Sequence, residues 1–310
     1  MVEQKNISGR AWVEMGLLGV IWGASFLSIR LALNEIPVLT LVLHRVGWAM
    51  LVLWGVVLLM RLPLPRDIRT WWAFLVMGVV NNVIPFALLA WGQLHIETGL
   101  ASILNGTTAI FGIILAAIFF ADERLTANRV IGVLLGFVGV AFALGIESLA
   151  SFDLRSIAQL AVLGATLSYG LASCWARARL SHLPPQIAAA GMLTGSTVVL
   201  LPLALIFDGP IQFSLMPVTW GAIAYYSLLG TAGAFLLYYR ILGMAGSGNL
   251  MLVTLIVPPI AIVLGAVVLG EELRPSAYVG FAILALGLLI LNNTLKLPRM
   301  LKIDPTNAPK

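Results

Sequence analysis

The segment VLTLVLHRVGWAMLVLWGVVLLM, residues 38–60, decides the fold, because it carries a single charged side chain, Arg45, over the length of one bilayer crossing. A helix of about 20 residues spans the hydrocarbon core, which is about 30 Å thick. Comparable apolar runs recur over residues 11–293, and 60% of the chain is hydrophobic while only 10% is charged. Soluble domains carry about 25% charged residues. A water-soluble fold is therefore excluded.

Helices are predicted throughout, because the apolar runs are continuous and do not alternate with polar residues as membrane β-strands do. Charged and turn-forming residues divide the runs into ten transmembrane helices. The first half of the chain contains helices at 11–33, 38–60, 71–92, 98–120 and 128–145, and the second half contains helices at 156–179, 185–207, 217–239, 246–269 and 275–293. The predicted fold class is an all-α polytopic membrane protein.

The basic residues sort to one side of the predicted bundle. With the amino terminus in the cytoplasm, fourteen of the eighteen Lys and Arg residues fall in cytoplasmic tails and loops, whereas only Arg155 and Arg274 fall in outer loops. This asymmetry is the positive-inside signal. It predicts a multi-pass protein of the bacterial cytoplasmic (inner) membrane with both termini in the cytoplasm. The first apolar run continues to Leu33 without a cleavage site, so we expect it to remain as a helix.

The two halves of the chain match at a constant spacing of 148 residues. The matching pairs are Trp72 and Trp220, Glu123 and Glu271, Leu125 and Leu273, Gly132 and Gly280, and Gly139 and Gly287. We interpret residues 1–148 as a first five-helix repeat and residues 149–310 as a second repeat with a short cytoplasmic tail. Because five crossings are an odd number, the repeats are inserted in opposite directions, as is common in secondary transporters.

Several short motifs in this framework resemble those of one family. They are Ile21-Trp22-Gly23, Arg45, the run Gly230-Thr231-Ala232-Gly233-Ala234 followed by Tyr238, and the segment from Pro258 through Gly270-Glu271-Glu272-Leu273 to Gly280 and Gly287. Their order within ten helices resembles the EamA family of the drug/metabolite transporter (DMT) superfamily. Within it, the chain looks most similar to bacterial amino acid exporters of the YddG type, which favour aromatic substrates.

The resemblance implies a secondary transporter that exports small metabolites, above all amino acids with aromatic or other apolar side chains, by alternating access. It implies a central cavity built by helices one, three, four, six, eight and nine. Other metabolite classes (nucleosides or purines, drug-like compounds, sugar derivatives), a small channel and a membrane-embedded lipid enzyme stay open as alternatives.

No catalytic residue, cofactor or metal site is predicted. The connections are short, no Walker loop is present, and the single cysteine offers neither a disulfide framework nor a thiolate cluster. The expected partners are a small-molecule substrate and membrane lipid, with the protein as a monomer or weak oligomer. Nucleic acid is not expected, because the basic residues are dispersed over short loops.

Polar and aromatic side chains near midspan mark the candidate substrate-binding residues, because polar groups that face lipid are costly. They are Trp22 in helix one, Asn81 and Asn82 in helix three, Asn105 and Thr108 in helix four, Ser168 and Tyr169 in helix six, and Tyr225, Ser227 and Thr231 in helix eight. The amides can bind a carboxylate and an ammonium group, and the rings can stack on an apolar substrate. Hydrogen bonding between helices is the alternative role, at about 0.6–2 kcal/mol per bond.

Helix-breaking residues mark candidate kinks or gates, with helix packing as the alternative. They are Pro85 in helix three, Gly230 and Gly233 in helix eight, and Pro258 and Pro259 in helix nine. Proline removes a backbone donor and disturbs the carbonyl pairing of the preceding turn. Glycine permits close packing of helices.

Charged and aromatic residues closer to the helix ends carry further expectations. Arg45 lies about two turns inside helix two, where it either snorkels outward or, if buried, recognises a carboxylate. Five aromatic residues near predicted helix ends are predicted as interfacial anchors, namely Trp71, Trp72, Trp91, Tyr238 and Tyr239. Because no acidic residue lies at midspan, we predict substrate movement down its own gradient, with proton coupling as the alternative.

Overall fold

The structure, a computed structural model, describes residues 7–96, 98–145, 153, 156–269 and 275–291, and within them the chain forms ten helical spans and no strand. The first half contains α1 (Gly9–Leu33), α2 (Val38–Leu59), α3 (Ile68–His95), α4 (Thr98–Phe119) and α5 (Ala127–Leu144). The second half contains α6 (Ile157–Arg179), α7 (Pro185–Phe207), α8 (Pro217–Ala245), α9 (Val253–Leu269, preceded by the turn Ser247–Leu250) and α10 (Pro275–Leu291). The predicted all-α architecture is confirmed.

The apolar length of the helices fits a membrane. Five of them, α2, α3, α6, α7 and α8, are long and apolar enough to cross a bilayer, and shorter apolar segments lie in α4, α5, α9 and α10. Large apolar side chains such as Leu59, Ile206 and Phe207 point away from the protein and are largely exposed. An outer surface of this kind requires lipid as its solvent.

A clear difference from the predicted boundaries is in α8, which continues to Ala245 instead of ending at residue 239. Ile241 and Leu242 are buried against neighbouring helices, so packing carries the helix past Arg240. Tyr238 and Tyr239 are buried as well. The prediction that these tyrosines are interfacial anchors is therefore wrong.

Glycines let the backbones of α5 and α10 pack in direct contact. A Cβ added to Gly280 would lie 2.4 Å from the backbone nitrogen of Ala143 and 2.5 Å from the carbonyl oxygen of Gly139. Gly132 meets the carbonyl of Gly287 in the same way at 2.7 Å. The two helices are antiparallel, and each glycine of one matched pair packs on a glycine of the other pair. This crossing is what two inverted repeats related by a two-fold axis would produce.

Two helices contain π-helical segments at corresponding places in the two halves. Val79–Val83 interrupts α3, and Tyr225–Gly233 interrupts α8. A π-turn pairs residues five apart, widens the helix and often occurs at functional sites. Pro85 follows the first segment and occupies the first turn of the α-helical part after it, where its missing N–H is tolerated.

The segment before α9 is also irregular. Met251 and Leu252 separate the turn Ser247–Leu250 from Val253–Leu269, and Pro258 and Pro259 lie inside the latter helix. A gating role for these prolines, for Pro85 and for Gly230 and Gly233 stays a prediction.

The two ends of the bundle differ in charge. We call the end with the connections 60–67, 120–126 and 180–184 the basic end, because most of the loop arginines lie there, and the other the opposite end. At the opposite end, the carboxylate of Asp208 accepts hydrogen bonds from the backbone and hydroxyl of Thr40, at 2.6 and 2.9 Å. Glu35 accepts from the backbone of Met216 at 3.0 Å and from the Thr219 hydroxyl.

Asp67 begins α3 at the basic end as an N-cap. Its carboxylate accepts a hydrogen bond from the backbone nitrogen of Thr70 at 2.7 Å. Hydrogen bonds from the hydroxyl and the backbone of Thr70 hold the pKa of Asp67 below its usual value. Capping of this kind satisfies an otherwise free donor in the first turn.

Candidate functional site

A central cavity of about 100 Å³ lies between the two halves of the chain. It is lined by Trp22, Ser25 and Ile29 of α1, Arg45 of α2, Asn81, Phe86, Leu89, Ala90 and Gln93 of α3, Asn105 and Thr108 of α4, Tyr169 of α6, Tyr226, Phe235 and Tyr238 of α8, Met251 before α9, and Thr254 and Val257 of α9. These are the six helices that the family resemblance implies, with α2 in addition. The walls are mainly apolar and aromatic, as in sites for small organic molecules.

The cavity extends towards the opposite end of the bundle. Ile29, Leu89 and Gln93 lie within about two turns of the ends of α1 and α3 on that side. Towards the basic end, the last lining residues are Tyr238 and Met251.

Arg45 places a buried guanidinium on the cavity wall, with only 7% of the residue exposed. The ring of Phe86 lies 3.6 Å from the guanidinium carbon, and the ring of Tyr226 lies 4.0 Å from it. Nε donates to the hydroxyl of Thr231 at 2.8 Å, and one terminal nitrogen donates to the hydroxyl of Tyr226 at 2.5 Å. The aromatic faces and these acceptors stabilise the cation and fix its orientation.

The π-helical segment of α8 supplies a backbone acceptor beside this arginine. The carbonyl of Gly230 accepts from the Trp22 indole at 3.1 Å and, at 3.4 Å, from the second terminal nitrogen of Arg45. A Cβ on Gly230 would lie 2.7 Å from the hydroxyl oxygen of Ser25, so a larger residue here would displace that hydroxyl. The irregular turn thus links α1, α2 and α8 at the cavity.

No carboxylate lines the cavity among the residues that the structure describes. The acidic residues whose contacts are seen lie near helix ends, where Glu14 binds Arg240 and Glu123 binds Arg129 and Arg177. A buried cation without a protein counter-ion is costly. Arg45 is therefore poised to bind an anionic group of a ligand.

Five of the predicted binding residues line the cavity. Trp22, Asn81, Asn105, Thr108 and Tyr169 all contribute to its wall. The amide nitrogen of Asn81 donates within the protein, to the Asn82 side chain at 3.3 Å.

The other five predicted residues make contacts between helices and are absent from the lining. Asn82 donates to the Ser196 hydroxyl of α7 at 2.7 Å, and Ser168 donates to the carbonyl of Val80 at 2.6 Å. Tyr225 donates to the carbonyl of Ile21 at 3.1 Å, Ser227 to that of His44 at 3.2 Å, and Thr231 holds Arg45. Each of these side chains thus uses hydrogen-bonding capacity in a contact between helices.

Several lining residues escaped the sequence prediction, chiefly Gln93, Phe235 and Tyr238. Gln93 Nε2 and the Tyr238 hydroxyl are buried and have no hydrogen-bond partner in the described part of the chain. Helical spacing could have indicated Gln93, since it lies seven residues after Phe86 and shares its face.

A buried cluster lies at the basic end around Glu123, which is 4% exposed. One carboxylate oxygen accepts from Arg177 at 2.7 Å, from the Ser247 hydroxyl at 3.1 Å and from the backbone of Gly248 at 3.2 Å. The other accepts from Arg129 at 3.2 Å. We call these five residues the basic-end cluster. It ties the α4–α5 connection and the first turn of α5 in the first half to α6 and the turn before α9 in the second half.

The sequence model of the EamA-like transporter family matches residues 11–145 and again residues 156–293. A "Probable terminal-alkyne amino-acid exporter" of Streptantibioticus cattleyicolor is 29% identical over 93% of this chain and 94% of its own length. A "Probable amino-acid metabolite efflux pump" of Escherichia coli is 24% identical over 88% and 92%. An "Uncharacterized transporter YoaV" of Bacillus subtilis is 22% identical over 89% and 95%.

Solved structures show the same fold. One crystal structure superposes with a TM-score of 0.77 over 92% of this chain and 98% of its own chain, at 16% sequence identity. At this identity the similarity concerns the fold alone.

Proposed function

We infer that this chain, which belongs to the EamA-like transporter family, exports amino acids with aromatic or other apolar side chains across the bacterial cytoplasmic membrane. The relatives named as an amino-acid exporter and an amino-acid metabolite efflux pump support this substrate class. The observation that carries the proposal is Arg45, a buried guanidinium that faces a largely apolar cavity without a described carboxylate beside it.

The recognition of such a substrate follows from the cavity wall. The guanidinium of Arg45 binds the carboxylate through charge-assisted hydrogen bonds. The rings of Trp22, Tyr169 and Phe235 accommodate an apolar or aromatic side chain. The substrate is thus held by one charged contact and several apolar ones.

Alternating access is the mechanism that we propose for release. The cavity lies between the halves, reaches towards the opposite end and is separated from the basic end by the basic-end cluster. With the basic end in the cytoplasm, this arrangement corresponds to the outward-facing state. Separation of the cluster would open the cavity to the cytoplasm, and the division into repeats at residues 148 and 149 would let the halves move as units.

Reconstitution of the purified protein into proteoliposomes tests the proposal. Vesicles loaded with unlabelled phenylalanine should accumulate radiolabelled phenylalanine by counterflow, and saturation should distinguish a carrier from a channel. Arg45→Gln should lower the flux at least about tenfold, because one charge-assisted contact is lost. Arg179→Gln changes an exposed arginine outside the cavity and should retain the flux. Absence of counterflow for every apolar amino acid tried would remove the proposal.

Energy coupling is part of the same proposal. Since no described carboxylate lines the cavity, we propose that the substrate moves down its own gradient without a coupled proton. Export against a gradient that collapses when the pH difference is abolished would contradict this.

A further inference from the structure

We propose that the cavity recognises the carboxylate of its substrate and not an ammonium group, so that apolar monocarboxylates bind more tightly than amino acids with the same carbon skeleton. The inference rests on the proposed function and deepens it by setting the charge of the preferred substrate. It extends the substrate class to deaminated relatives of amino acids, such as 2-oxo acids and saturated acids with an apolar or aromatic tail.

The charge balance of the cavity is the first support. Arg45 is the only charged side chain that lines it in the described part of the chain. Binding of a monoanion makes the buried site neutral, whereas a zwitterion leaves a net positive charge there. In a poorly solvated site, uncompensated charge is costly.

The orientation of the guanidinium is the second support. The rings of Phe86 and Tyr226 lie 3.6 and 4.0 Å from its central carbon, and Nε is already bonded to Thr231. Each terminal nitrogen donates one hydrogen bond within the protein, to the hydroxyl of Tyr226 or the carbonyl of Gly230. A carboxylate therefore binds through the one N–H that remains on each terminal nitrogen. The ammonium group of an amino acid is attached to the next carbon, which places it roughly 4–6 Å from the cation, where like charges repel.

The neutral groups of the wall are the third support. Asn81 and Asn105 provide amides, but no described acid faces the position of an ammonium group. The unpartnered atom of Gln93 is its amide nitrogen, a hydrogen-bond donor that is buried with the residue 3% exposed. A donor in this position suits an acceptor oxygen of the ligand, such as an oxo oxygen or the second carboxylate oxygen.

Three compounds with one skeleton test the inference at neutral pH. Phenylpropionate carries the carboxylate alone, phenylalanine carries both groups, and phenethylamine carries the ammonium alone. Titration of the purified full-length protein, by calorimetry or by the shift of its melting temperature, should show phenylpropionate binding on the order of tenfold more tightly than phenylalanine. Phenethylamine should not bind over the same concentration range. Arg45→Gln should remove the binding of both acids, and Arg179→Gln should leave the ranking unchanged.

The outcomes separate this inference from the proposed function. Phenylalanine that binds and is exported better than phenylpropionate overturns the inference and leaves the exporter proposal standing. Binding of phenethylamine at comparable concentrations also overturns it, because the ring would then be the group recognised. Failure of both acids to bind overturns the exporter proposal together with the inference. The comparison on the wild-type protein decides among these results even where Arg45→Gln does not fold.

Discussion

Neutralising Glu123 should release the basic end of the bundle. Its side chain is 5% exposed and pairs with Arg129, which is 4% exposed, and with Arg177, which is 19% exposed. Removing one partner of a buried ion pair costs about 3–5 kcal/mol. Arg177 is partly hydrated and also pairs with Asp122. We therefore take the lower figure, a loss of about 3 kcal/mol in the stability of the intact cluster, for Glu123→Gln. A free-energy change of about 1.4 kcal/mol corresponds to a tenfold change in an equilibrium constant. The population that is open at the basic end should therefore rise on the order of a hundredfold.

The single cysteine reports this opening. Cys174 is buried, lies one turn before Arg177 on α6, and has its thiol beside Ser173 and Ser247. We expect its labelling by N-ethylmaleimide, followed by intact-mass spectrometry, to accelerate in Glu123→Gln by up to the same factor. Asp67→Asn is the matched control, because that carboxylate is exposed and bonds within the first turn of α3. A variant that folds, binds substrate and labels at the wild-type rate would refute the assignment of the cluster as the closure of the basic end.

Three further variants separate packing from transport. Asn82→Ala should lower the melting temperature through loss of the bond to Ser196, worth about 0.6–2 kcal/mol, while substrate affinity stays unchanged; a selective loss of affinity would return Asn82 to the binding site. Gly280→Ala should destabilise the protein by about 1–3 kcal/mol through its clash with Ala143, whereas Gly47→Ala, where a Cβ meets open space, should be neutral or slightly stabilising; equal unfolding midpoints would contradict the close approach. Trp22→Phe should weaken substrate binding, because the indole of Trp22 holds the Gly230 carbonyl that also accepts a hydrogen bond from Arg45. Unchanged binding would show that Arg45 is oriented without the indole.

The fold could be predicted from the sequence because lipid imposes a simple rule on it. Apolar runs of bilayer length must be helical, and the loop arginines had to sort to one side. Boundaries were less predictable where packing extends a helix, as in α8, which passes Arg240 and ends at Ala245. Charge near a helix end indicates an interface only when the following turn is not itself buried.

The sequence indicated which types of polar residue form the site, but not which face of its helix each residue occupies. Asn81 and Asn82 are adjacent and chemically identical, yet Asn81 lines the cavity while Asn82 binds Ser196 of α7. Adjacent residues of a helix differ by about 100° in direction, and the π-turn at Val79–Val83 changes that direction further. Without the position of α7, composition alone could not distinguish the two.

For Arg45, the sequence indicated a functional role, but not the residues that allow the side chain to be buried. Its charge in an apolar helix was visible, and carboxylate recognition was one of the two expectations for it, the other being an outward-pointing side chain. The aromatic residues that make burial tolerable, Phe86 and Tyr226, come from α3 and α8. They are distant in sequence, so only the packing of three helices reveals that the cation faces inward.

The glycine crossings between α5 and α10 also have a dynamic consequence. Neither helix lines the cavity, and the backbones touch near Gly132 and Gly287 and again near Gly139 and Gly280. In the alternating-access mechanism proposed above, this seam would be the contact about which one half rotates against the other, and it would resist their separation. The amide hydrogens along this seam should then exchange slowly with solvent whichever face of the membrane the cavity serves.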